Sequence, residues 1–411
     1  MKCPDTLQSS EDRLSQIFVG IDRQVKANLN RVLNAMRKHK VGSHHFASVS
    51  GYGHDDLGRD TLDHVFADVM QAEAAAVRVQ FVSGTHAIAC ALFGILRPGD
   101  ELLSVAGAPY DTLEEVIGLR GNSQGSLREF GITYRELSLN MGGTLDWDRL
   151  AESVSDRTRM VLIQRSCGYN WRRSLSIEEI AKIVALVKKQ KSNVVCFVDN
   201  CYGEFVEDRE PTAVGADLMA GSLIKNPGGT IATTGGYVAG RAKWVEAAMC
   251  RLTAPGIGGS GGSSLDQNRL FFQGLFLAPQ MVGEAMKGNA LMAITFDELG
   301  YPVNPSAEAR QRDVIQAIQL GSREKLIAFC KAIQRYSPVD SYVEPVPAGM
   351  PGYESELVMA GGTFIDGSTA ELSADGPLRE PYIVYCQGGT HWTHVAIALE
   401  AAVAAIGPAG L

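Results

Sequence analysis

Hydrophobic residues recur near the N-terminus at the spacing of an α-helix. Between residues 11 and 40 the apolar positions are Leu14, Ile17, Phe18, Ile21, Val25, Leu29, Val32 and Met36. This period places the apolar side chains on one face of a helix. Residues 42–58 are rich in glycine and polar residues, which is typical of a loop. The pattern therefore predicts an N-terminal helical arm and loop over residues 1–58.

From about residue 74 to residue 240, short apolar runs alternate with helical segments. The runs "RMVLIQRS" and "VVCFVDN" indicate buried strands, and the amphipathic stretch "IEEIAKIVALVKKQK" between them predicts a helix. Alternation of strands and helices is typical of a mostly parallel sheet packed between helices, so the predicted fold class is α/β. The glycine-rich piece at 225–240 is predicted to be a hairpin or an edge element.

Residues from about 303 onward have the pattern of a smaller α+β domain. Helices are predicted over "RQRDVIQAIQLG" (310–321) and "REKLIAFCKAIQRYS" (323–337). Strands are predicted in "SELVMAGGTFIDG" and "REPYIVYCQGG", followed by a terminal helix. We therefore predict a large domain over 59–302 and a small C-terminal domain over 303–411.

Composition and charge exclude several classes of protein. The formal net charge is −8 and the basic residues form no stripe, which argues against a nucleic-acid partner. No apolar run has membrane-spanning length and no signal-peptide pattern is visible, so we expect no membrane association and a cytoplasmic location. The eight cysteines show no CxxC spacing, and the histidine pair of "HWTH" has no third ligand. Buried thiols are expected, and no metal site.

Polar residues with chemical potential follow several of the predicted strands. Ser83, Gly84 and Thr85 stand between a strand and a helix, where backbone amides and two hydroxyls suit a phosphate. Tyr110 precedes another helix, Asp199 ends "VVCFV" and Lys225 ends "GSLI". In a parallel α/β sheet, ligands bind at the carboxyl ends of the strands, so these residues are expected at one edge.

Taken singly, each of these residues has a structural explanation as a helix cap, a packed tyrosine or a solvated lysine. Taken together and in this order, they indicate pyridoxal phosphate. A lysine forms a Schiff base with that cofactor and moves protons, and an aspartate keeps the pyridine nitrogen protonated. An aromatic ring stacks on the cofactor, and the phosphate group anchors it.

At these residues the sequence resembles the fold-type I pyridoxal-phosphate enzymes of cysteine and methionine metabolism. It is most similar to the aluminium-resistance, or methionine gamma-lyase-like, family of bacterial proteins. The motifs that carry the resemblance include "GYGHDDLGRDTL", "QRSCGY", "FVDNCYGEF", "GSLIKNPGGTIATTGGYVAG", "LTAPGIG", "MPGY" and "ELSADGPLREPYIVYCQGG". The resemblance implies the fold-type I transferase fold.

The resemblance also implies roles for individual residues. Lys225 and Tyr110 are the implied catalytic residues, with Lys225 forming the Schiff base and Tyr110 stacking on the ring. Asp199 is the implied partner of the pyridine nitrogen. The phosphate is expected at Ser83, Gly84, Thr85 and Ser222, and Tyr202 is expected to bond the ring oxygen of the cofactor. The wider class has a hydroxyl residue just before the lysine, whereas this chain has Ile224. Burial and a nearby cofactor are expected to lower the pKa of Lys225.

Further implied contacts involve a second subunit and the substrate. In the wider class a tyrosine and an arginine of the neighbouring subunit reach the phosphate, and Tyr52 and Arg59 are the counterparts here. A homodimeric active site, within a tetramer, is expected. Arg379 or Arg165 is the candidate that binds the α-carboxylate of an amino-acid substrate.

The resemblance favours a lyase that breaks a carbon–sulfur bond of a sulfur amino acid by β- or γ-elimination. An aminotransferase, an aldolase-type enzyme or a non-catalytic cofactor-binding resistance protein are the alternatives. The segment "GIGGSGG" (256–262) contains a literal G-x-G-x-x-G, but "TAP" precedes it rather than a strand. We expect a mobile loop near the mouth of the active site there, and no dinucleotide.

Overall fold

A computed structural model describes residues 4–122, 124–350, 353 and 355–409. Pro351 and Gly352 of the "MPGY" motif and Cys3 lie outside the described residues. The helices are α1 (Pro4–Lys38), α2 (Leu57–Val69), α3 (Gly84–Ile95), α4 (Asp111–Ile117), α5 (Trp147–Leu150), α6 (Ile177–Gln190), α7 (Ala242–Leu252), α8 (Asn268–Glu298), α9 (Arg323–Arg335) and α10 (Trp392–Ile406). The predicted N-terminal helix is therefore confirmed.

The strands form two separate sheets. They are β1 (Ala74–Arg78), β2 (Glu101–Ser104), β3 (Thr133–Glu136), β4 (Thr158–Gln164), β5 (Val195–Asp199), β6 (Leu218–Ser222), β7 (Gly236–Gly240), β8 (Val303–Asn304), β9 (Ile315–Gln319), β10 (Leu357–Ala360), β11 (Ser373–Pro377) and β12 (Ile383–Gln387). The central sheet has the order β1-β7-β6-β5-β4-β2-β3, and the second has the order β10-β11-β12-β9-β8.

The central sheet is mostly parallel, as predicted. Strands β3, β2, β4, β5 and β6 pair in parallel, whereas β7 is antiparallel to both of its neighbours. The glycine-rich segment does pair as a hairpin, through β6 and β7. The hairpin alternative is thus confirmed, and the segment is not an edge element, because β1 lies outside β7 and all residues of β7 are buried.

Alternate residues of the central strands pack against two different helical layers. On β5, Val195 and Phe197 join the apolar cluster of α3 and α7, while Cys196 and Val198 join the cluster of α6 and α8. Coverage of both faces explains why these strands are apolar throughout instead of alternating with polar residues. The cysteines confirm this burial, since Cys90, Cys167, Cys196, Cys201, Cys330 and Cys386 are all buried and free.

The second sheet is antiparallel and contains one element that the sequence pattern predicts wrongly. Residues 310–321 were expected to be a helix, but they contain β9, which pairs with β8 and β12. Val314, Ile315 and Ile318 fit the spacing of a helical face, yet residues 315–318 are buried on both sides of the strand. A short apolar run of this kind suits either structure, and tertiary packing decides between them.

Helix α8 connects the two sheets along the chain and packs against the segment that follows β6. Gly274 of α8 lies against the backbone carbonyl of Gly228, so closely that a Cβ at position 274 would overlap it. Gly228 belongs to the short helical turn of residues 226–228 that follows Lys225. Because Gly274 has no side chain, the turn after Lys225 can pack directly against α8. This contact sets the position of the chain just beyond the lysine. Within the described residues, no helix combines the length and the apolar character needed to cross a bilayer.

Replacing Gly274 by alanine tests this packing. We expect Gly274→Ala to lower the free energy of unfolding by about 1–3 kcal/mol, because the helix or the turn must shift to admit the methyl group. The matched control is Gly20→Ala, since Gly20 is also helical but has open space where a Cβ would stand. The control should be neutral or stabilise by about 0.5–1 kcal/mol. Equal effects of the two substitutions in urea unfolding would contradict the packing described.

Candidate active site

A cavity of about 280 Å³ opens at the carboxyl ends of the central strands. The residues expected at one edge of the sheet all line it. They are Ser83, Gly84, Thr85, Tyr110, Asp199, Tyr202, Ser222 and Lys225. The register of the strands explains why these residues meet. Gln164 at the end of β4 is paired with Asp199 at the end of β5, so the two strands end at the same level.

One end of the cavity has the features of an anion site. Ser83 caps α3, and its hydroxyl accepts a hydrogen bond from the backbone N–H of His86 at 3.1 Å. Gly84 is buried so tightly that a Cβ there would lie 3.1 Å from Cβ of Ser222 and 3.2 Å from Sγ of Cys201. The first amides of α3 and the nearby hydroxyls favour a negatively charged group.

Tyr110 is held beside this end of the cavity. Its hydroxyl lies 2.9 Å from Oγ1 of Thr85, and its backbone N–H donates to Oε1 of Gln164 at 2.9 Å. Burial, with the charge of Asp199, raises the pKa of the phenol well above its usual value. Tyr110 is therefore a neutral aromatic wall with a fixed orientation.

Asp199 is a buried carboxylate that faces the cavity. One of its oxygens accepts a hydrogen bond from the backbone N–H of Cys201 at 3.1 Å. Burial raises the pKa of Asp199 to about 6, although the backbone bond and the charge of Lys225 oppose the increase. A cationic group bound next to Asp199 would be stabilised by it.

Lys225 follows β6 but does not belong to it. The strand was expected to include Leu223 and Ile224, whereas it ends at Ser222. Nζ of Lys225 donates to the hydroxyl of Tyr202 at 2.8 Å and lies 4.0 Å from the centre of that ring. Tyr202 has a φ of 72°, a left-handed conformation that is unfavourable for a bulky residue and that directs its hydroxyl to the lysine.

The expected decrease in the pKa of Lys225 included the effect of a bound cofactor, and the chain's own surroundings do not produce that decrease. Burial acts to lower that pKa, but the electrostatic interaction and hydrogen bond with Tyr202, together with the nearby Cys201 and Glu204, raise it above the usual value. Burial also raises the pKa of Tyr202. Lys225 is therefore an ammonium that donates to a neutral phenol at neutral pH.

The two arginines expected at the substrate lie in different surroundings. Arg165 is fully buried outside the cavity, and its guanidinium donates to Oδ1 of Asn200 at 2.9 Å, the carbonyl of Gly203 at 2.8 Å and Oε1 of Glu207 at 3.0 Å. The proposed role of Arg165 in binding substrate is thus corrected, because these bonds occupy it. It supports the turn that carries Asp199 and Tyr202.

Arg379 does not start a strand as expected. It lies in the exposed turn between β11 and β12, with Nη2 at 3.5 Å from the backbone carbonyl of Tyr169. Tyr169 lines the cavity, so Arg379 is at its rim. Arg379 remains a candidate for the substrate carboxylate.

Tyr52 and Arg59 do not line the cavity of their own chain. Tyr52 is 82% exposed. Arg59 is buried, and its guanidinium donates to the carbonyl of Gly53 at 2.6 Å and of Gly262 at 2.8 Å. A phosphate contact from Arg59 would require these two bonds to break, whereas Tyr52 is free to reach another molecule.

The glycine-rich segment "GIGGSGG" follows helix α7, so the strand that a dinucleotide fingerprint needs does not precede it. The bond from Arg59 to Gly262 and a bond of 3.0 Å from Arg78 to the carbonyl of Gly259 hold this segment to the loop around Gly53 and to β1. Among the described residues that line the cavity, none belongs to 256–263. The segment therefore forms no part of the wall of this chain's own cavity, and its expected position near the mouth stays a prediction.

The second wall of the cavity comes from the small sheet and was missed in the sequence. It contributes Ile315, Asp375, Tyr385 and Gln387, with Tyr169 and Tyr353 from loops beside it. A signal was present, because Asp375 lies within the motif "ELSADGPLREPYIVYCQGG", in the middle of a short strand whose residues are all buried. Within the described part of the chain, no group of three or more His, Cys, Asp or Glu side chains could hold a metal ion.

Comparison with known proteins places the chain in a family. The profile of the methionine gamma-lyase family matches residues 3–407. The chain belongs to the methionine gamma-lyase family. The protein YnbB of Bacillus subtilis, itself uncharacterised, is 51% identical over 391 residues, which cover 94% of this chain and 93% of that protein.

Solved structures agree with this family and with the fold. A carbon–sulfur lyase involved in aluminium resistance from Clostridium novyi is 46% identical, with a TM-score of 0.92 over 96% of this chain and 94% of that one. The pyridoxal-5'-phosphate-dependent protein YhfS of Escherichia coli is 17% identical, with a TM-score of 0.61 over 95% of this chain and 97% of that one. This second likeness concerns the fold alone, and it confirms the predicted fold-type I class.

The buried position of Asp199 predicts an unusual dependence of stability on pH. Its folded-state pKa is above that of an unfolded aspartate, so its ionisation destabilises the fold as the pH rises towards and past 6. We compare the free energies of unfolding of Asp199→Asn and of the native chain, both freed of small molecules. The difference in favour of the variant should grow by about 1–2 kcal/mol from pH 5 to pH 8. The control is Asp208→Asn, because Asp208 is exposed. Urea unfolding at both pH values measures the difference, and a gain equal to that of the control would refute it.

Proposed function

We propose that this protein is a pyridoxal-phosphate-dependent lyase that breaks a carbon–sulfur bond of a sulfur-containing amino acid. The observation that carries the proposal is a single cavity with an amine at Lys225, a buried carboxylate at Asp199 and an anion site at the start of α3. Membership of the methionine gamma-lyase family supports the same class of reaction.

The residues present fit the cofactor. Gly84 leaves room that a Cβ would fill between α3 and Ser222, and Ser83, Thr85 and Ser222 offer hydroxyls to a phosphate. Ile224 also lines the cavity, so the hydroxyl that the wider class has before the lysine is replaced here by an apolar contact. Asp199 would hold a protonated pyridine nitrogen, Tyr110 would lie against the ring and Tyr202 would bond its oxygen. When bound, the cofactor withdraws electrons from the α-carbon of the substrate.

The side chains then divide the work of the reaction. Lys225, in its unprotonated form, takes the α-proton at Nζ, and Tyr202 orients that amine through its hydroxyl, 2.8 Å away. The hydrogen bond between the hydroxyls of Tyr110 and Thr85 holds the ring of Tyr110 in place while the substrate binds. Arg379 at the rim would attract the α-carboxylate. Overall, the carbon–sulfur bond breaks, the sulfur leaves as a thiol with a proton, and water replaces the amino group to give a keto acid and ammonia.

We infer that two chains complete the site. Tyr52 is 82% exposed, and Val82 and Phe364, which line a shallow depression beside Ser222 and Ile224, are each 76% exposed. Exposed apolar side chains grouped beside such a cavity are typical of a contact with a second subunit. A homodimer in which Tyr52 reaches the neighbouring phosphate site satisfies these features, and a tetramer would contain two such dimers.

Replacing Lys225 tests the proposed function. The purified protein reconstituted with pyridoxal phosphate should absorb visible light and release thiol, keto acid and ammonia from a cysteine thioether. Lys225→Ala should lose the absorbance band and reduce thiol release by a factor on the order of 10³ or more, since the proton acceptor is gone. The control Lys331→Ala removes a lysine that pairs with Glu344 at the surface and should change neither readout.

Two outcomes would contradict the proposal. Thiol release by Lys225→Ala at the native rate would exclude the assigned role of the lysine. Transfer of the amino group to an added keto acid, without release of thiol, would identify an aminotransferase instead.

A further inference from the structure

The wall of the cavity opposite the anion site is one face of the small sheet. Asp375 on β11 is the direct cross-strand partner of Tyr385 on β12, and Ser373 is the partner of Gln387. Because side chains alternate along a strand, Asp375, Tyr385 and Gln387 point to the same side. All three line the cavity, together with Ile315 of β9.

Asp375 is a carboxylate in this wall without a basic partner of its own. Of the described residues that line the cavity, Lys225 is the only cation, whereas Asp111, Asp199 and Asp375 are carboxylates. Asp111 pairs with Arg120 at 3.3 Å, and Asp199 faces the position assigned to the pyridine nitrogen. Asp375 is 8% exposed and has the hydroxyl of Tyr169 and the charge of Lys225 to stabilise it. Burying a carboxylate without a full counter-charge costs free energy. Burial raises the pKa of Asp375 to about 6, which leaves this carboxylate ionised at neutral pH.

Three aromatic rings surround the approach to this carboxylate. The ring centres of Tyr169 and Tyr353 are 5.8 Å apart, and those of Tyr169 and Tyr385 are 5.2 Å apart. The rings are tilted by 57° and 60°, so their faces do not stack in parallel. Aromatic faces next to a buried carboxylate attract organic cations.

We propose that Asp375, Tyr169, Tyr353 and Tyr385 form a subsite for an ammonium group at the far end of the substrate. The favoured substrate class is then an amino-acid thioether whose leaving thiol carries an ammonium group, in preference to one with a neutral alkyl group. This subsite defines the substrate class of the proposed lyase and in that respect rests on the proposed function.

Two thioethers of nearly equal size test the subsite. S-(2-aminoethyl)cysteine and S-propylcysteine differ in an ammonium group that replaces a terminal methyl. The holoenzyme should show a kcat/KM about tenfold or more higher for the ammonium compound. Asp375→Asn should bring the ratio close to one, because the substitution removes the charge and keeps the size.

Two further variants separate binding from positioning. Asp111→Asn removes another carboxylate of the cavity and should preserve the preference. If Asp375 served only to orient Tyr169, Asp375→Asn and Tyr169→Phe would lower turnover of both compounds equally and leave the ratio unchanged. That result, or a native enzyme that favours S-propylcysteine, would overturn the proposal.

Failure of the proposed lyase activity is distinguishable from failure of the subsite. If neither thioether is cleaved, calorimetric titration of the cofactor-loaded protein still compares their dissociation constants. Tighter binding of S-(2-aminoethyl)cysteine, lost in Asp375→Asn, would support the subsite without the reaction. Equal binding of the two compounds would reject it.

Discussion

The site depends on the hydrogen bond between the amine of Lys225 and the hydroxyl of Tyr202. This bond joins the end of β6 to the end of β5 across the carboxyl edge of the central sheet. The ammonium group is half-buried, which is tolerated because Tyr202, Glu204 and the charge of Asp199 interact with it. Tyr202 reaches the lysine from a left-handed backbone conformation, and the buried bonds of Arg165 to Asn200 and Gly203 support that turn from behind.

The rest of the architecture places a second wall opposite this bond. Helix α8 contacts the turn after Lys225 through Gly274 and leads directly to the small sheet. That sheet presents Asp375 and Tyr385 to the amine from the other side. The chemistry is thus divided between the two sheets: groups common to the reaction class lie on the central sheet, and groups that would discriminate among substrates lie on the small one.

Much of the first wall could be predicted from the sequence because it depends on chain order. Ser83 and Lys225 follow strands and Asp199 ends one, and parallel strands bring their ends together. The second wall could not be predicted in this way. Residues 314–318 suit a helix or a strand, and the face of β11 that carries Asp375 is defined only once β9 and β12 pair. The surroundings of Arg165 and of Lys225 could not be predicted for a similar reason, since both depend on neighbours distant in sequence that only the folded chain supplies.

The most direct measurement of the central claim is the location of the cofactor on the chain. The protein is reconstituted with pyridoxal phosphate, reduced with borohydride so that the attachment becomes permanent, digested and examined by peptide mass spectrometry. We expect the added mass of the cofactor on the peptide that contains Lys225, and on that lysine. Attachment to a different lysine, or no attachment after reconstitution, would contradict it.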